Sequence, residues 1–226
     1  SHHWLLAWLG LELNTLSILP IIMKPRHPRA TEATTKYFLI QTLAAALILF
    51  ASILNAMQTG QWSITNLTGG LTSNILLTAI MLKMGIAPAH MWYPEVLQGT
   101  TITTAMIIST WQKLAPLSLL YHTVNCMSTN TLLILGLTST MLGGWLGLNQ
   151  TQTRKILAFS SISHMGWLMI ALTINPSLTT LTMIMYLIMT TATFMCMITL
   201  TTKTLMDLGA AWSQSPTLMA LMTATL

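Results

Sequence analysis

Four ionisable residues lie inside long apolar segments of the sequence, where a charged side chain is unusual. They are Glu12, Lys83, Lys113 and His164. A charge near the centre of a bilayer costs at least ~2.5–3.5 kcal/mol on insertion scales, so such residues usually face a protein interior or a wet cavity. Carboxylates, amines and imidazoles each take up and release protons, and together they are typical of an intramembrane proton relay.

Each of these residues also has a simpler interpretation. Lys83 and Lys113 could snorkel, since each lies about two turns from a predicted helix end. Glu12 and Lys83 could form an ion pair that only joins two helices, and His164 could make a hydrogen bond between helices. Lys113 has no evident carboxylate partner, and burial of an unpaired ammonium favours the neutral amine. A role in proton transfer is the preferred hypothesis.

Helix-breaking residues follow both lysines. Gly85 and Pro88 come shortly after Lys83, and Pro116 comes three residues after Lys113. A proline inside a helix removes the donor for the carbonyl four residues earlier and kinks or breaks the helix. In a membrane such a break is tolerated only beside protein or water, and broken helices form ion sites in transporters. We therefore predict helix breaks at Gly85, Pro88 and Pro116.

The composition indicates a membrane protein. Of 226 residues, 53% are apolar and only 6% are charged, whereas a soluble domain carries roughly 25% charged residues. These values exclude a soluble globular domain, a disordered chain and a nucleic-acid-binding protein. Two cysteines, Cys126 and Cys196, are too few for a disulfide framework, a zinc site or an iron–sulfur site. We predict no cofactor and no metal in this chain.

Seven segments are long and apolar enough to cross a bilayer as helices, which requires about 20 residues each, and an eighth segment begins near residue 216. No stretch alternates polar and apolar residues as a membrane barrel requires. The predicted fold is an all-α, polytopic membrane helix bundle with about seven complete spans and a partial eighth. The seven spans are 4–23, 33–57, 73–91, 100–121, 131–148, 156–173 and 178–202.

Basic residues alternate between the connections. The first, fifth and seventh connections are basic and the third contains Glu95, whereas the second, fourth and sixth contain no Lys or Arg. This alternation is the pattern of the positive-inside rule and supports the assignment of the spans. Because the sequence begins without Met and stops within an apolar run, we interpret it as part of a longer protein. The basic residues at these connections are Lys24, Arg26, Arg29, Lys36, Arg154, Lys155 and Lys203.

Small polar and small apolar residues suggest two further features. Gly143, Gly144 and Gly147 indicate close packing of the fifth span against a neighbour.

Lys83, Lys113 and His164 are predicted to lie at similar depth, an arrangement that suits lateral proton movement through bridging waters. The candidate hydroxyls for holding these waters also have a simpler role, a bond to their own helix. They are Ser109, Thr110, Ser160, Ser161 and Ser163.

Five strings in the sequence resemble the antiporter-like membrane subunits of the mitochondrial NADH:ubiquinone oxidoreductase, respiratory complex I. The likeness extends over essentially the whole sequence, and the high Met and Thr content resembles products of animal mitochondrial genomes, here a vertebrate one. The strings are 8–14 (WLGLELN), 83–90 (KMGIAPAH), 111–116 (WQKLAP), 148–158 (LNQTQTRKILA) and 160–167 (SSISHMGW).

The resemblance implies two inverted five-helix repeats with a broken helix. Residues 1–226 would form a single transmembrane domain, with 1–121 as most of the first repeat and 131–226 as part of the second. In this family the glutamate of the Gly-Leu-Glu motif pairs with the lysine of the Lys-x-Gly-x-x-Pro helix, and the next helix supplies a lysine of the central hydrophilic axis. Glu12, Lys83 and Lys113 match these positions, and His164 matches the histidine of the Ser-x-x-His-Met-Gly motif.

The implied function is that of a proton-translocating membrane subunit of the respiratory chain, in the mitochondrial inner membrane. Its partners would be the lipid bilayer and the other membrane subunits of complex I, with no nucleic acid. The chain itself would hold no redox centre. NADH and ubiquinone would be substrates of the whole complex. The alternative is a structural scaffold subunit of the same complex without proton transfer of its own.

Overall fold

The computed structural model describes residues 3–64, 67, 69–202 and 204–225. These residues form ten α-helices and one 3₁₀ helix, with two isolated bridge pairs and no β-strand among them. The helices are α1 (Trp4–Met23), α2 (Pro28–Thr59), α3 (Gly70–Met84), α4 (Trp92–Gly99), α5 (Ile102–Thr123), the 3₁₀ helix (Val124–Cys126), α6 (Thr129–Leu148), α7 (Thr153–Ile174), α8 (Pro176–Leu200), α9 (Leu205–Gln214) and α10 (Pro216–Thr225).

Local sequence signals set several of these boundaries. Pro28 occupies the first turn of α2, where its missing N–H is not needed. Gly60 ends α2 with φ +70°, a left-handed conformation that glycine adopts readily, and its N–H bonds to the Ala56 carbonyl. The side chain of Asn175 caps α8 by accepting a hydrogen bond from the Ser177 N–H at 3.0 Å.

The predicted membrane helix bundle is confirmed. Five helices in the described part of the chain, namely α1, α2, α6, α7 and α8, are long and apolar enough to cross a membrane. The shorter α3 is also apolar. The 22-residue α5 is less apolar, since it carries Gln112 and Lys113. Each predicted span overlaps one helix, although the third, 73–91, extends beyond the end of α3 at Met84 into the non-helical segment before α4.

One end of the bundle collects the charged connections, and we call it the basic end. Lys36 Nζ lies 2.6 Å from both Glu32 and Glu95, joining the start of α2 to α4. The Arg154 guanidinium donates a hydrogen bond of 2.7 Å to the Thr100 carbonyl, joining α7 to the segment after α4. The charge alternation along the sequence therefore corresponds to a real asymmetry between the two ends.

Other backbone contacts close the two ends of the bundle. At the basic end the Leu205 N–H donates to the Thr151 carbonyl at 3.1 Å, which brings the start of α9 beside the start of α7. At the opposite end the Trp4 N–H donates to the Trp62 carbonyl at 3.0 Å. The predicted basic residue Lys203 lies outside the described residues.

Helices α6 and α7 pack closely along a line of glycines. A Cβ added to Gly143 would lie 2.8 Å from the Ser163 nitrogen and 2.9 Å from the Phe159 carbonyl oxygen. One added to Gly136 would lie 3.0 Å from the Gly166 carbonyl oxygen. Gly144 faces open space. The predicted close packing of this span is therefore present, but Gly144 does not contribute to it.

The two lysine-bearing helices behave differently at their prolines. Helix α3 ends at Met84, where Gly85 adopts a left-handed φ of +70°, and helical structure resumes only at Trp92. Helix α5 continues through Pro116 to Thr123, so the break predicted at Pro116 is wrong. The proline removes one backbone donor, but helical structure continues on either side of it.

Candidate functional site

Three of the four predicted proton-transfer residues lie at the same depth in the bundle. Glu12 comes eleven residues before the last residue of α1, which ends at the basic end. Lys113 and His164 each come eleven residues after the first residue of α5 and α7, which begin there. At 1.5 Å of rise per residue, all three lie about 16 Å from that end, near the middle of a membrane-spanning bundle.

Lys83 lies in the last turn of α3, just before the interruption, and is only 6% exposed. Its Nζ atom has no hydrogen-bond partner among the described residues. The Lys83 backbone carbonyl, which the end of α3 leaves without its helical donor, accepts a 3.4 Å hydrogen bond from Gln41 Nε2 on α2. The interruption thus produces a buried amine beside an irregular backbone.

A small cavity joins the surroundings of the two lysines. Its volume is about 10 Å³, which is roughly the space that one water molecule requires. Its wall includes the side chains of both Lys83 and Lys113. The amide side chains of Asn14, Gln41 and Gln112 are among the other polar groups of its lining.

Lys113 is 2% exposed and is surrounded by tyrosines rather than by carboxylates. Its Nζ donates to the Tyr186 hydroxyl at 3.3 Å. The same atom lies 4.6 Å from the ring centroid of Tyr93 and 5.3 Å from that of Tyr186. The Tyr186 hydroxyl in turn donates to the Ser109 carbonyl at 2.8 Å.

Glu12 does not form the predicted ion pair with Lys83. Both ion pairs in the described part of the chain involve Lys36 instead. Helices α1 and α3 each pack on α2 and α5. Glu12 is partly exposed, and its carboxylate accepts a 3.4 Å hydrogen bond from Thr15 on its own helix. Its negative charge acts on Lys83 only at longer range.

His164 lies at the surface of the described bundle, with one side of its ring towards Tyr186. The two ring centroids are 5.6 Å apart at an angle of 51°. The residue is exposed, although Lys113 is close enough to act on it electrostatically. Tyr186 therefore contacts both Lys113 and His164, where the sequence suggested bridging water.

The hydroxyl groups predicted to hold bridging waters donate to their own helices instead. Ser109 and Thr110 both donate to the Met106 carbonyl, at 2.9 and 2.7 Å. The three serines of α7 donate to carbonyls three residues earlier, at 2.7–3.0 Å. This is the usual choice of Ser and Thr in an apolar helix, because the nearest acceptor is their own backbone.

Sequence reasoning missed several residues of this site. Tyr93 and Tyr186 contact Lys113, and buried His90 lies in the interruption with its Nδ1 3.2 Å from the Pro88 carbonyl oxygen. The sequence has only four tyrosines. Tyr186 lies in the middle of an apolar span, where a phenol needs a hydrogen-bond partner. This requirement could have identified Tyr186 as a residue of the site.

Comparison with known proteins defines the class. The sequence pattern of the family described as "NADH:quinone oxidoreductase/Mrp antiporter, TM" matches residues 1–226, the whole chain. The chain therefore belongs to this family of membrane proteins.

Individual relatives narrow the likeness. The chain is 53% identical to the NADH-ubiquinone oxidoreductase chain 2 of Xenopus laevis over 226 residues, all of this chain and 66% of that protein. It is 55% identical to chain 2 of Carassius auratus over 221 residues, 97% of this chain and 63% of that protein. The chain thus spans somewhat less than two thirds of the length of these relatives.

A solved structure supports the same fold. The chain superimposes with a TM-score of 0.87 on a chain of respiratory complex I from Thermus thermophilus, a structure with bound aureothin. The two share 27% sequence identity, and the superposition covers 96% of this chain and 52% of the other.

Proposed function

We propose that this chain is part of a proton-translocating membrane subunit of the NADH:ubiquinone oxidoreductase, corresponding to chain 2, in the mitochondrial inner membrane. Within it, Lys83 and Lys113 exchange protons at the centre of the membrane. The observation that carries this proposal is that both buried lysines line one cavity with room for about one water. Neither amine lies within ion-pair distance of a carboxylate in the described residues.

This arrangement is unfavourable for a pure scaffold. A buried charge that only stabilises structure needs a partner, because removing it from water is otherwise uncompensated. Lys83 Nζ has no hydrogen-bond partner among the described residues, and Lys113 has only a phenol oxygen and aromatic faces. Amines in such places can readily change their protonation state, which a scaffold does not require and a relay does.

The proposed step is a transfer between two amines through one water. The ammonium of one lysine donates a proton to a cavity water, which donates a proton to the neutral amine of the other. The polar groups of Asn14, Gln41 and Gln112 on the cavity wall orient this water. Glu12 on α1 lies within electrostatic range of Lys83.

The similarity to chain 2 of the oxidoreductase supports further proposals about the repeats, the partner subunits and the substrates. We propose that residues 1–121 and 131–226 belong to two inverted repeats, and that the other membrane subunits of complex I are the partners. NADH and ubiquinone react elsewhere in that complex, with no cofactor held by this chain. His164 would receive protons from Lys113 past Tyr186.

Substitution of Lys113 tests the proposal against a scaffold. The intact complex carrying Lys113→Met is reconstituted in vesicles, and proton translocation is measured per NADH oxidised, after its assembly is checked on native gels. The matched control is Lys36→Met, which removes a lysine at the basic end. We expect impaired translocation only in K113M. A fully assembled K113M complex with an unchanged ratio and rate would favour the scaffold. Lys113→Gln is the second variant if K113M does not assemble.

A further inference from the structure

Lys113 places a potential ammonium ion against two tyrosine rings that come from different helices, Tyr93 on α4 and Tyr186 on α8. Its Nζ is 4.6 and 5.3 Å from their centroids, within the roughly 6 Å over which a cation is attracted to an aromatic face. We infer that Tyr93 and Tyr186 form an aromatic cage that stabilises the ammonium form of Lys113, taking the place of a carboxylate counter-ion.

Both rings are held in position by their surroundings. Tyr93 is 1% exposed and packs edge-on against Trp92, with centroids 5.6 Å apart and planes at 82°. Tyr186 is 2% exposed and is fixed by its 2.8 Å hydrogen bond to the Ser109 carbonyl. Cation–π attraction is stronger in such desolvated places than at a surface. The cage is therefore preorganised around the amine.

The hydroxyl of Tyr186 adds a directional contribution. The Tyr186 hydroxyl donates its one proton to the Ser109 carbonyl. Its oxygen can therefore only accept a hydrogen bond from Lys113. An ammonium donates to this oxygen more strongly than a neutral amine does, because hydrogen bonds from a charged donor are the stronger ones. The contact favours the protonated lysine, as the two rings do.

The other groups around Lys113 offer no anion. Lys83 faces it across the cavity from α3, and His164 lies beyond Tyr186 on α7. Asn14 of α1 and Gln112 of α5 are neutral amides. Lys83 and His164 repel the ammonium when they are protonated and never attract it as anions would, so within the described residues the tyrosines are its stabilising neighbours.

The chain offers a close control, because the Tyr93 hydroxyl lies near those of Ser161 and Tyr186 but forms no hydrogen bond of normal geometry among the described residues. Tyr93→Phe keeps the aromatic face and removes only the hydroxyl. Tyr93→Leu removes the aromatic face and leaves an apolar side chain, as Tyr93→Phe does. Tyr186→Phe keeps its ring but loses the acceptor for Lys113. A packing role predicts no difference in Lys113 protonation between the Phe and Leu variants of Tyr93.

The direct test measures Lys113 protonation without relying on pumping. Intact complex is labelled at a series of pH values with a membrane-permeable acetylating reagent, which reacts only with neutral amines, and Lys113 acetylation is quantified by mass spectrometry. In Y93L we expect half-maximal labelling about one pH unit lower than in the unsubstituted protein, since ~1.36 kcal/mol corresponds to one unit. Y93F should stay near the unsubstituted value, and Y186F should shift in the same direction as Y93L.

The labelling test of the cage does not depend on the proposed function. Only the expected effect of the cage on proton pumping rests on that function. Equal labelling profiles for Y93L and Y93F, or a shift to higher pH, would overturn the cage, and Y186F decides if Y93L does not assemble. Proton translocation by the same complexes is measured across the same pH range. A labelling shift without any change in pumping would leave the cage standing and contradict the relay.

Discussion

Asn14 on α1 and Gln112 on α5 form a reciprocal amide pair. Asn14 Nδ2 donates to Gln112 Oε1 at 2.7 Å, and Gln112 Nε2 donates to Asn14 Oδ1 at 3.4 Å. The pair lies two residues from Glu12 and directly beside Lys113 along the chain, and both amides line the lysine cavity. It therefore holds α1 against α5 at the depth of the proposed relay.

Removing this pair should weaken the contact between α1 and α5. In Asn14→Leu the Gln112 amide loses its partner, and interhelical bonds of this kind contribute about 0.6 kcal/mol on average and up to about 1.7. Thermal dissociation of the subunit from the intact complex, followed on native gels, measures the effect. Ser17→Ala is the control, since the exposed Ser17 hydroxyl donates only to its own helix. Equal stability of N14L and S17A would show that the pair is energetically neutral.

Neighbouring glycines of α6 provide a second matched comparison. Gly143→Ala places a methyl within 3 Å of the α7 backbone, whereas the adjacent Gly144→Ala projects into open space. Overpacking of this kind typically destabilises by about 1–3 kcal/mol. We expect a lower dissociation temperature for G143A and an unchanged one for G144A in the same native-gel assay. A stable G143A would mean that α6 and α7 do not pack as closely as described.

Arg154 should restrain the segment after α4. Its guanidinium bonds to the Thr100 carbonyl at 2.7 Å and reaches the Gln98 carbonyl at 3.5 Å, at the end of a helix where carbonyls lack partners. In Arg154→Met we expect faster hydrogen–deuterium exchange in peptides covering 92–104. Lys155→Met, one residue away, should leave that exchange unchanged. If both variants exchange alike, the guanidinium contacts do not hold this segment.

Neutralising Glu12 should reduce pumping less than loss of either lysine. Glu12→Gln removes a long-range attraction on Lys83 but breaks no ion pair. Proton translocation per NADH in vesicles is the measurement, and Glu32→Gln at the basic end is the control. A loss as severe as that of K113M would imply a direct partnership between Glu12 and Lys83, and no loss at all would remove Glu12 from the relay.

The fold could be predicted from the sequence because a bilayer restricts the choices. Long apolar segments must be helices, and Pro, Gly and Asn mark their ends, as at Pro28, Gly60 and Asn175. Helix α9 was missed because its segment is short and partly polar. A signal for it was present, since Thr204 and Asp207 form a capping box at its start.

The site was predicted less completely than the fold. Fixed helix rise gives depth from position alone, so Lys113 and His164 could be placed at similar depth. The direction in which a side chain points depends on how helices rotate and pack, so the direct ion pair of Glu12 with Lys83 was predicted wrongly. The position of Tyr93 depends on the non-helical segment after Met84. The path of such a segment cannot be predicted from the spacing of apolar residues.

A double substitution tests most directly whether Lys83 and Lys113 act in one relay. Proton translocation per NADH is measured for Lys83→Met, Lys113→Met and the double variant in the same assembled complex, with K36M as control. If the lysines act in series, either single substitution removes the same contribution and the double variant loses no more than a single one. Independent, additive losses, or assembled variants that pump as well as K36M, would contradict the account.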